Sequence, residues 1–208
     1  MQLKQACTGL WAVLFIIAPL YSQANLGGIG LDLTFNISIW LVASWLTVTM
    51  FFKMNSQFVI PKYFILFCIF PLYLIVMNII GNSDNILFNF RLLFIFGGLL
   101  FFIALFQCDF SDKDIDKLLF IIVIAVCVQA CVSVAQIILP DSSVSSWFYS
   151  RSDGVPRGIF QQVNVNVSLL TTGVIISLYL CSRNWFDTAN RLMKGVVLLA
   201  YSLSLYII

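Results

Sequence analysis

Histidine and glutamate are both absent from the 208-residue chain, and charged residues of all kinds make up only 10% of it. Without them the chain cannot build a His–carboxylate pair, an HExxH zinc site or a glutamate-based ion pathway. No run of basic residues points to a nucleic acid partner. These absences exclude most hydrolase templates and nucleic-acid binding.

The cysteines do not form a metal-binding pattern. Cys127 and Cys131 share a helix face, but two thiols without histidine do not complete a zinc site, and no Cys-x-x-Cys pair occurs. All the cysteines lie within or beside apolar runs, as packing residues do: Cys7, Cys68, Cys108, Cys127, Cys131 and Cys181. We predict neither a metal site nor a cofactor.

Long apolar runs dominate what is present. The chain is 61% hydrophobic and its mean hydropathy is +1.01, and continuous runs near 20 residues are typical of transmembrane helices. The sequence predicts an all-α, polytopic transmembrane bundle. Six complete spans are predicted at 6–24, 34–52, 63–80, 88–107, 118–139 and 159–181.

A seventh apolar run, 195–208, has 14 residues, fewer than the ~20 that cross a bilayer. A carboxylate inside the membrane is costly. We therefore expect this span to be truncated, through an interrupted reading frame or a partial sequence.

Loop charges predict the orientation. With a cytoplasmic N-terminus, eight basic residues lie inside and three outside, as the positive-inside rule favours. The inner ones are Lys4, Lys53, Lys62, Lys113, Lys117, Arg183, Arg191 and Lys194. The predicted location is the bacterial inner membrane, with helices one to five in 1–139 and a periplasmic loop at 140–158. Lys4 and Ser22-Gln23-Ala24 also fit a cleavable signal sequence, although Pro19 favours a retained helix.

The 109–117 loop holds the one dense run of charge. Within it, Ser111 and Asp114 have the spacing of an N-terminal helix cap before span five.

Three arginines are predicted on the outer side, where positive charge is depleted: Arg151, Arg157 and Arg91, the last near the outer start of span four. A guanidinium offers forked donors that suit a diphosphate. Alternatively, the loop arginines pair with Asp153 or lipid headgroups, and Arg91 snorkels to the surface.

Amide side chains follow at the mouth of span six. Gln162 and Asn166 are four residues apart and share a helix face. Such amides can orient sugar hydroxyls or a diphosphate without ionising, or they can form hydrogen bonds between helices.

The segment Gly158-Ile159-Phe160-Gln161-Gln162-Val163-Asn164 resembles the Gly-x-Phe-x-Gln-x-Asn signature of the O-antigen ligase and polymerase superfamily. It is most similar to the bacterial protein O-oligosaccharyltransferases, the pilin glycosylation ligases, which carry a motif like 128–136 on the preceding helix. Gln161 and Val163 depart from the frequent glycine and the proline or basic residue of that signature.

The resemblance implies a metal-independent glycosyltransferase that moves a glycan from undecaprenyl diphosphate to a periplasmic acceptor such as pilin. It implies Gln162 and Asn164 as catalytic residues. Arg157, Arg151 and Arg91 would bind the diphosphate, and Asn166 would support the site. In this family a large periplasmic loop with further catalytic residues follows the signature region, which here is 159–208, so we expect those residues to lie beyond this chain.

Two other functions fit the same sequence. A ligase or polymerase of the superfamily would use lipid A core or another O-antigen chain as acceptor. A transporter, flippase or scaffold would have no transfer chemistry, but transporters often carry midplane charges and repeats. Polar residues here gather at the outer end of span six instead, which favours chemistry at the outer leaflet.

Overall fold

All the regular secondary structure in the part that the computed structural model describes is helical. That part comprises residues 2–17, 40, 42–46, 48, 59–60, 62–81, 86–108, 110–139, 155–160 and 163–208. No β-strand occurs among these residues, so the all-α prediction is confirmed. The helices are α1 (Gln2–Ala12), α2 (Phe64–Ile80), α3 (Ile86–Phe106), α4 (Asp112–Ile138), α5 (Val163–Cys181), α6 (Asn184–Thr188) and α7 (Arg191–Ile207), and a π-helical turn, Val13–Ile17, follows α1.

The chain divides into two compact units. The first comprises Met1–Leu10 and Leu26–Asp109, and the second comprises Trp11–Asn25 and Phe110–Ile208. In the first unit, α2 and α3 form an antiparallel pair, because Phe67 near the start of α2 meets Phe102 near the end of α3, with ring centroids 5.2 Å apart. Cys7 and Cys108 are buried in this unit and their Sγ atoms lie 2.7 Å apart.

Two polar side chains of the first unit bind backbone groups. Ser44 Oγ donates to the carbonyl oxygen of Gly97 on α3 at 2.6 Å. Gln107, which follows α3, binds Val59 at both backbone groups: Gln107 Oε1 accepts from Val59 N at 2.9 Å, and Nε2 donates to Val59 O at 2.7 Å. Each side chain thus fixes a segment against α3 or its end.

In the second unit, α4, α5 and α7 pack around one apolar core. Its buried members are Ile122, Val123, Val126 and Ala130 on α4, Leu170 and Leu180 on α5, and Val197 and Ala200 on α7. Gly173 allows α5 to approach α4 closely, because a Cβ at that position would overlap the side chain of Val126. Small residues at such crossings are typical of membrane helix pairs.

The start of α4 has the cap that the sequence predicts. The Ser111 backbone N–H and the Ser111 hydroxyl both donate to Asp114 Oδ2, at 3.1 and 2.7 Å. The helix therefore begins at Asp112, before the predicted boundary of span five at 118. The first turn of the helix contains charged residues, which a search for apolar runs does not include. The helix therefore begins earlier than the predicted span.

Two described helices are long and apolar enough to cross a membrane: α4, with 27 residues, and α5, with 19. They correspond to the predicted spans 118–139 and 159–181. Among the other described helices, α2 has 17 residues and is too short to be counted with these two. The predicted span 34–52 lies largely outside the described residues.

Two helices in the second unit begin at positions that differ by a few residues from the starts of the predicted apolar runs. The apolar run of span six is predicted from 159, whereas α5 begins at Val163; Gly158 has a φ of +60°, and 158–160 form a turn. The last apolar run starts at 195, and α7 begins before it at Arg191, where the Asn190 side chain accepts a hydrogen bond from Met193 N at 2.8 Å.

Candidate functional site

A polar stripe runs along one face of the otherwise apolar helix α4. Gln129, Ser133 and Gln136 are spaced by four and three residues, so they lie on one side of the helix. All three are buried, with 1%, 0% and 6% of their surfaces exposed. The stripe faces the 155–160 segment and the first turns of α5.

Gln136 holds the backbone of the loop through three hydrogen bonds. Its Oε1 accepts from Arg157 N at 2.9 Å and from Gly158 N at 2.8 Å. Its Nε2 donates to the carbonyl oxygen of Gly158 at 2.8 Å. One side chain therefore satisfies both polar backbone groups of Gly158.

Gln129 connects the same loop to α5. Its Oε1 accepts from Ile159 N at 3.1 Å, while its Nε2 donates to Asn166 Oδ1 at 2.8 Å. The Asn166 amide also donates to Ser133 Oγ at 3.0 Å and to the carbonyl oxygen of Pro156 at 3.3 Å. We call Gln129, Ser133, Gln136 and Asn166 the amide network.

Gly158 is the position that lets the loop enter this network. Its φ of +60° lies in the left-handed region that glycine adopts without steric cost. A Cβ at this position would overlap the Gln129 side chain and lie 2.9 Å from Ser133 Oγ. Both the backbone conformation and the close approach therefore require glycine.

The network supplies hydrogen-bond partners for consecutive backbone groups from Pro156 to Ile159. The polar backbone groups with partners are Pro156 O, Arg157 N and O, Gly158 N and O, and Ile159 N. A buried polar group without a partner costs about 1–3 kcal/mol, so these hydrogen bonds favour one conformation of the loop. The amides are neutral over the physiological pH range, so the network orients groups and does not transfer protons.

The structure describes some of the predicted site residues. Asn166 is fully buried within the amide network, and Asn164, in the first turn of α5, is exposed. Arg157 is partly buried and its backbone is held by α4. Gln162 and Arg151 lie outside the described residues, and Arg91 lies on α3 in the first unit, where only its backbone is described.

Sequence reasoning assigned no role to Gln129, Ser133 and Gln136, although they lie in the segment that resembles a family motif. The signal for them was present: three polar residues with helical spacing on one face of a long apolar helix. Such residues are costly in a hydrocarbon environment and therefore require partners. Their partners could not be named before the position of the loop was known.

A cluster of ion pairs lies at the opposite end of α4. Arg183 follows α5. Its Nη2 lies 3.1 Å from Asp112 Oδ2, and its Nε lies 3.5 Å from Asp116 Oδ1. The Asp112 side chain is 81% exposed, whereas that of Asp116 is 5% exposed. The hydrogen bond to Asp112, together with the nearby Tyr179 and Asp116, raises the pKa of the Arg183 guanidinium above its ordinary value.

Neither a group of metal ligands nor a known relative assigns a chemistry to the amide network. In the described parts of the chain, no three or more Cys or Asp side chains lie together as a metal site. The amide network and the arginine and asparagine beside it are thus the groups from which a function must be inferred. No model of a known protein family, no curated protein and no solved structure matches the chain.

Proposed function

We propose that the chain is a multi-pass membrane glycosyltransferase of the O-oligosaccharyltransferase type. It would transfer a glycan from undecaprenyl diphosphate to a Ser or Thr hydroxyl of a periplasmic protein such as pilin. The observation that carries the proposal is the buried amide network, which holds the backbone of Arg157–Ile159 at the end of a pair of membrane-capable helices.

The dimensions of α4 support a membrane location. From Asp112 to Gln136 the helix rises about 36 Å at 1.5 Å per residue, which is enough to cross a hydrocarbon core of about 30 Å. On α2, apolar side chains are exposed to an extent that water disfavours: Ile65 is 72% exposed, Ile79 70% and Ile80 73%. Lipid around these helices removes that cost. The proposed topology is six spans with a cytoplasmic N-terminus, in the bacterial inner membrane.

The distribution of charge supports the proposed sidedness. Arg183, Arg191 and Lys194 lie between α5 and the early part of α7, at the end of the second unit opposite the amide network. The positive-inside rule places that end in the cytoplasm. The network, with Arg157 and Asn164, then lies at the periplasmic end, where a lipid-linked glycan is presented.

The proposed chemistry is substitution at the anomeric carbon of the glycan. The acceptor oxygen forms a bond to this carbon, the bond from the carbon to the diphosphate oxygen breaks, and the diphosphate leaves with the electron pair. The proton of the acceptor hydroxyl passes to a base. Arg157 and Arg151 would stabilise the charge that develops on the diphosphate, and such donors contribute about 10²–10³-fold to the rate. Gln162 and Asn164 would orient the donor glycan, and Asn166 would support the site.

A deletion strain tests the proposal. Mass spectrometry of its periplasmic proteins is expected to show loss of a glycan, and lipopolysaccharide gels are expected to be unchanged. The wild-type gene and Gln107→Ala should restore glycosylation, whereas Gln162→Ala should not. A changed lipopolysaccharide with intact protein glycans would instead assign the O-antigen ligase or polymerase function.

A third outcome identifies a transporter or flippase. Purified protein in liposomes would then move a lipid-linked glycan across the bilayer without transferring it to any acceptor. If neither glycan transfer nor glycan movement depended on the gene, the glycosyltransferase proposal would be abandoned.

A further inference from the structure

We infer that Gln129 and Gln136 are positioning residues for glycan transfer, and that they act by fixing the backbone of Arg157–Ile159. The inference rests on the transferase function proposed above and extends it to two residues on α4. The starting observation is that three successive backbone N–H groups, those of Arg157, Gly158 and Ile159, all donate to glutamine side-chain oxygens of one helix.

Successive N–H groups of this kind, next to a left-handed residue, often bind anions directly. Here Gln136 Oε1 occupies two of them at 2.9 and 2.8 Å, and Gln129 Oε1 occupies the third at 3.1 Å. These three backbone N–H groups are therefore already bound to α4 and are not available to a ligand. A diphosphate would therefore be bound by side chains, and the network fixes the backbone positions from which those side chains extend.

Two side chains of the proposed site depend on this anchoring. The Arg157 side chain leaves a backbone whose N–H is bound by Gln136 and whose carbonyl oxygen lies 3.4 Å from Gln129 Nε2. Asn164 lies in the first turn of α5, as does Asn166, which Gln129 binds at 2.8 Å. Gln129 thus ties the loop and α5 to one point on α4, so that Arg157 and Asn164 keep a constant separation.

Substitution by methionine tests the inference, because methionine has nearly the same length as glutamine and lacks its hydrogen bonds. Gln136→Met and Gln129→Met are compared with Gln107→Met, the matched control. Gln107 makes the same kind of paired contact with a loop backbone, at Val59, but belongs to the first unit. The assay is the initial rate of glycan transfer in membranes, per molecule of inserted enzyme, at increasing concentrations of native lipid-linked glycan.

We expect kcat to fall at least tenfold in Gln136→Met and Gln129→Met, since small misplacements of reacting groups cost up to about 10²-fold. In Gln107→Met, kcat should remain within about twofold of wild type. Hydrogen exchange of peptides covering 155–160 should accelerate in the first two variants only. If all three variants kept wild-type kcat, or lost it in proportion to a lower thermal midpoint, the positioning role would be refuted.

A double-mutant cycle separates positioning from stability. If Gln136 acts through Arg157, then Arg157→Lys should lower kcat strongly in the wild-type background and only slightly in Gln136→Met. Additive effects on kcat would refute the inference. Failure of the proposed function has a different signature: glycan transfer would be absent from wild-type membranes, while the exchange difference at 155–160 would still report on the network.

Discussion

Gln136 on α4 binds Gly158 at both its backbone N–H and its carbonyl oxygen, each at 2.8 Å. These two hydrogen bonds satisfy the backbone groups of Gly158, as regular secondary structure would do elsewhere in the chain. Buried backbone groups need partners, and here a single amide supplies two. The loop conformation consequently depends on α4 and on the absence of a side chain at position 158.

We expect Gly158→Ala to destabilise the protein by about 3 kcal/mol. A left-handed conformation costs a non-glycine residue roughly 1–2 kcal/mol, and displacement of Gln129 by the new methyl group leaves buried polar groups unpaired at about 1–3 kcal/mol. The thermal midpoint in detergent and the amount of inserted protein should both fall.

Gly195→Ala is the control for this substitution. Gly195 lies in α7, and a Cβ there would meet nothing within 4 Å. Because alanine is favoured over glycine in helices by up to about 1 kcal/mol, this variant should be as stable as wild type or slightly more stable. Equal midpoints for the two variants would contradict the close approach of Gly158 to Gln129.

The helical class and the cap at Ser111 could be predicted because each depends on local sequence. Apolar runs identify α4 and α5, and the Ser111–Asp114 spacing identifies where α4 starts more accurately than hydropathy does. Hydropathy gives the start of α5 only approximately, since nothing in an apolar profile shows that Gly158 adopts a positive φ.

The site was predictable only in part. The resemblance drew attention to Asn164, and helical spacing from Gln162 drew attention to Asn166. Two residues apart on a helix, these asparagines point in different directions, and only Asn166 is buried. The roles of Gln129 and Gln136 depend on contacts more than 20 positions away along the chain. Composition and spacing carry no information about such contacts.

Gly173→Ala should weaken the packing of α5 on α4 by about 1–3 kcal/mol, the usual cost of overpacking a close contact. The added methyl group would overlap Val126, which is fully buried. Val126→Ala in the same chain removes the overlapping atoms and should recover part of the lost thermal midpoint. A double variant less stable than Gly173→Ala alone would show that the two residues do not oppose each other.

Arg183→Met should lower the thermal midpoint because it leaves the carboxylate of Asp116, only 5% exposed, without its cationic partner. Asp116→Asn in that background removes the uncompensated charge and should restore most of the midpoint. Asp112→Asn serves as the control: its side chain is 81% exposed, so the effect should be small and should diminish further in high salt. A larger loss for Asp112→Asn than for Arg183→Met would reverse this assignment.

The proposed sidedness predicts opposite accessibilities for two exposed asparagines, Asn164 in the first turn of α5 and Asn184 in the first turn of α6. In a chain whose own cysteines have been replaced by serine, Asn164→Cys should react in intact cells with a maleimide that cannot cross the inner membrane. Asn184→Cys should react only after the membrane is permeabilised, because it lies beside Arg183 at the end assigned to the cytoplasm. Denatured samples provide the control for total thiol. Labelling of Asn184→Cys alone in intact cells would invert the topology and place the amide network in the cytoplasm, where the periplasmic transfer reaction could not occur.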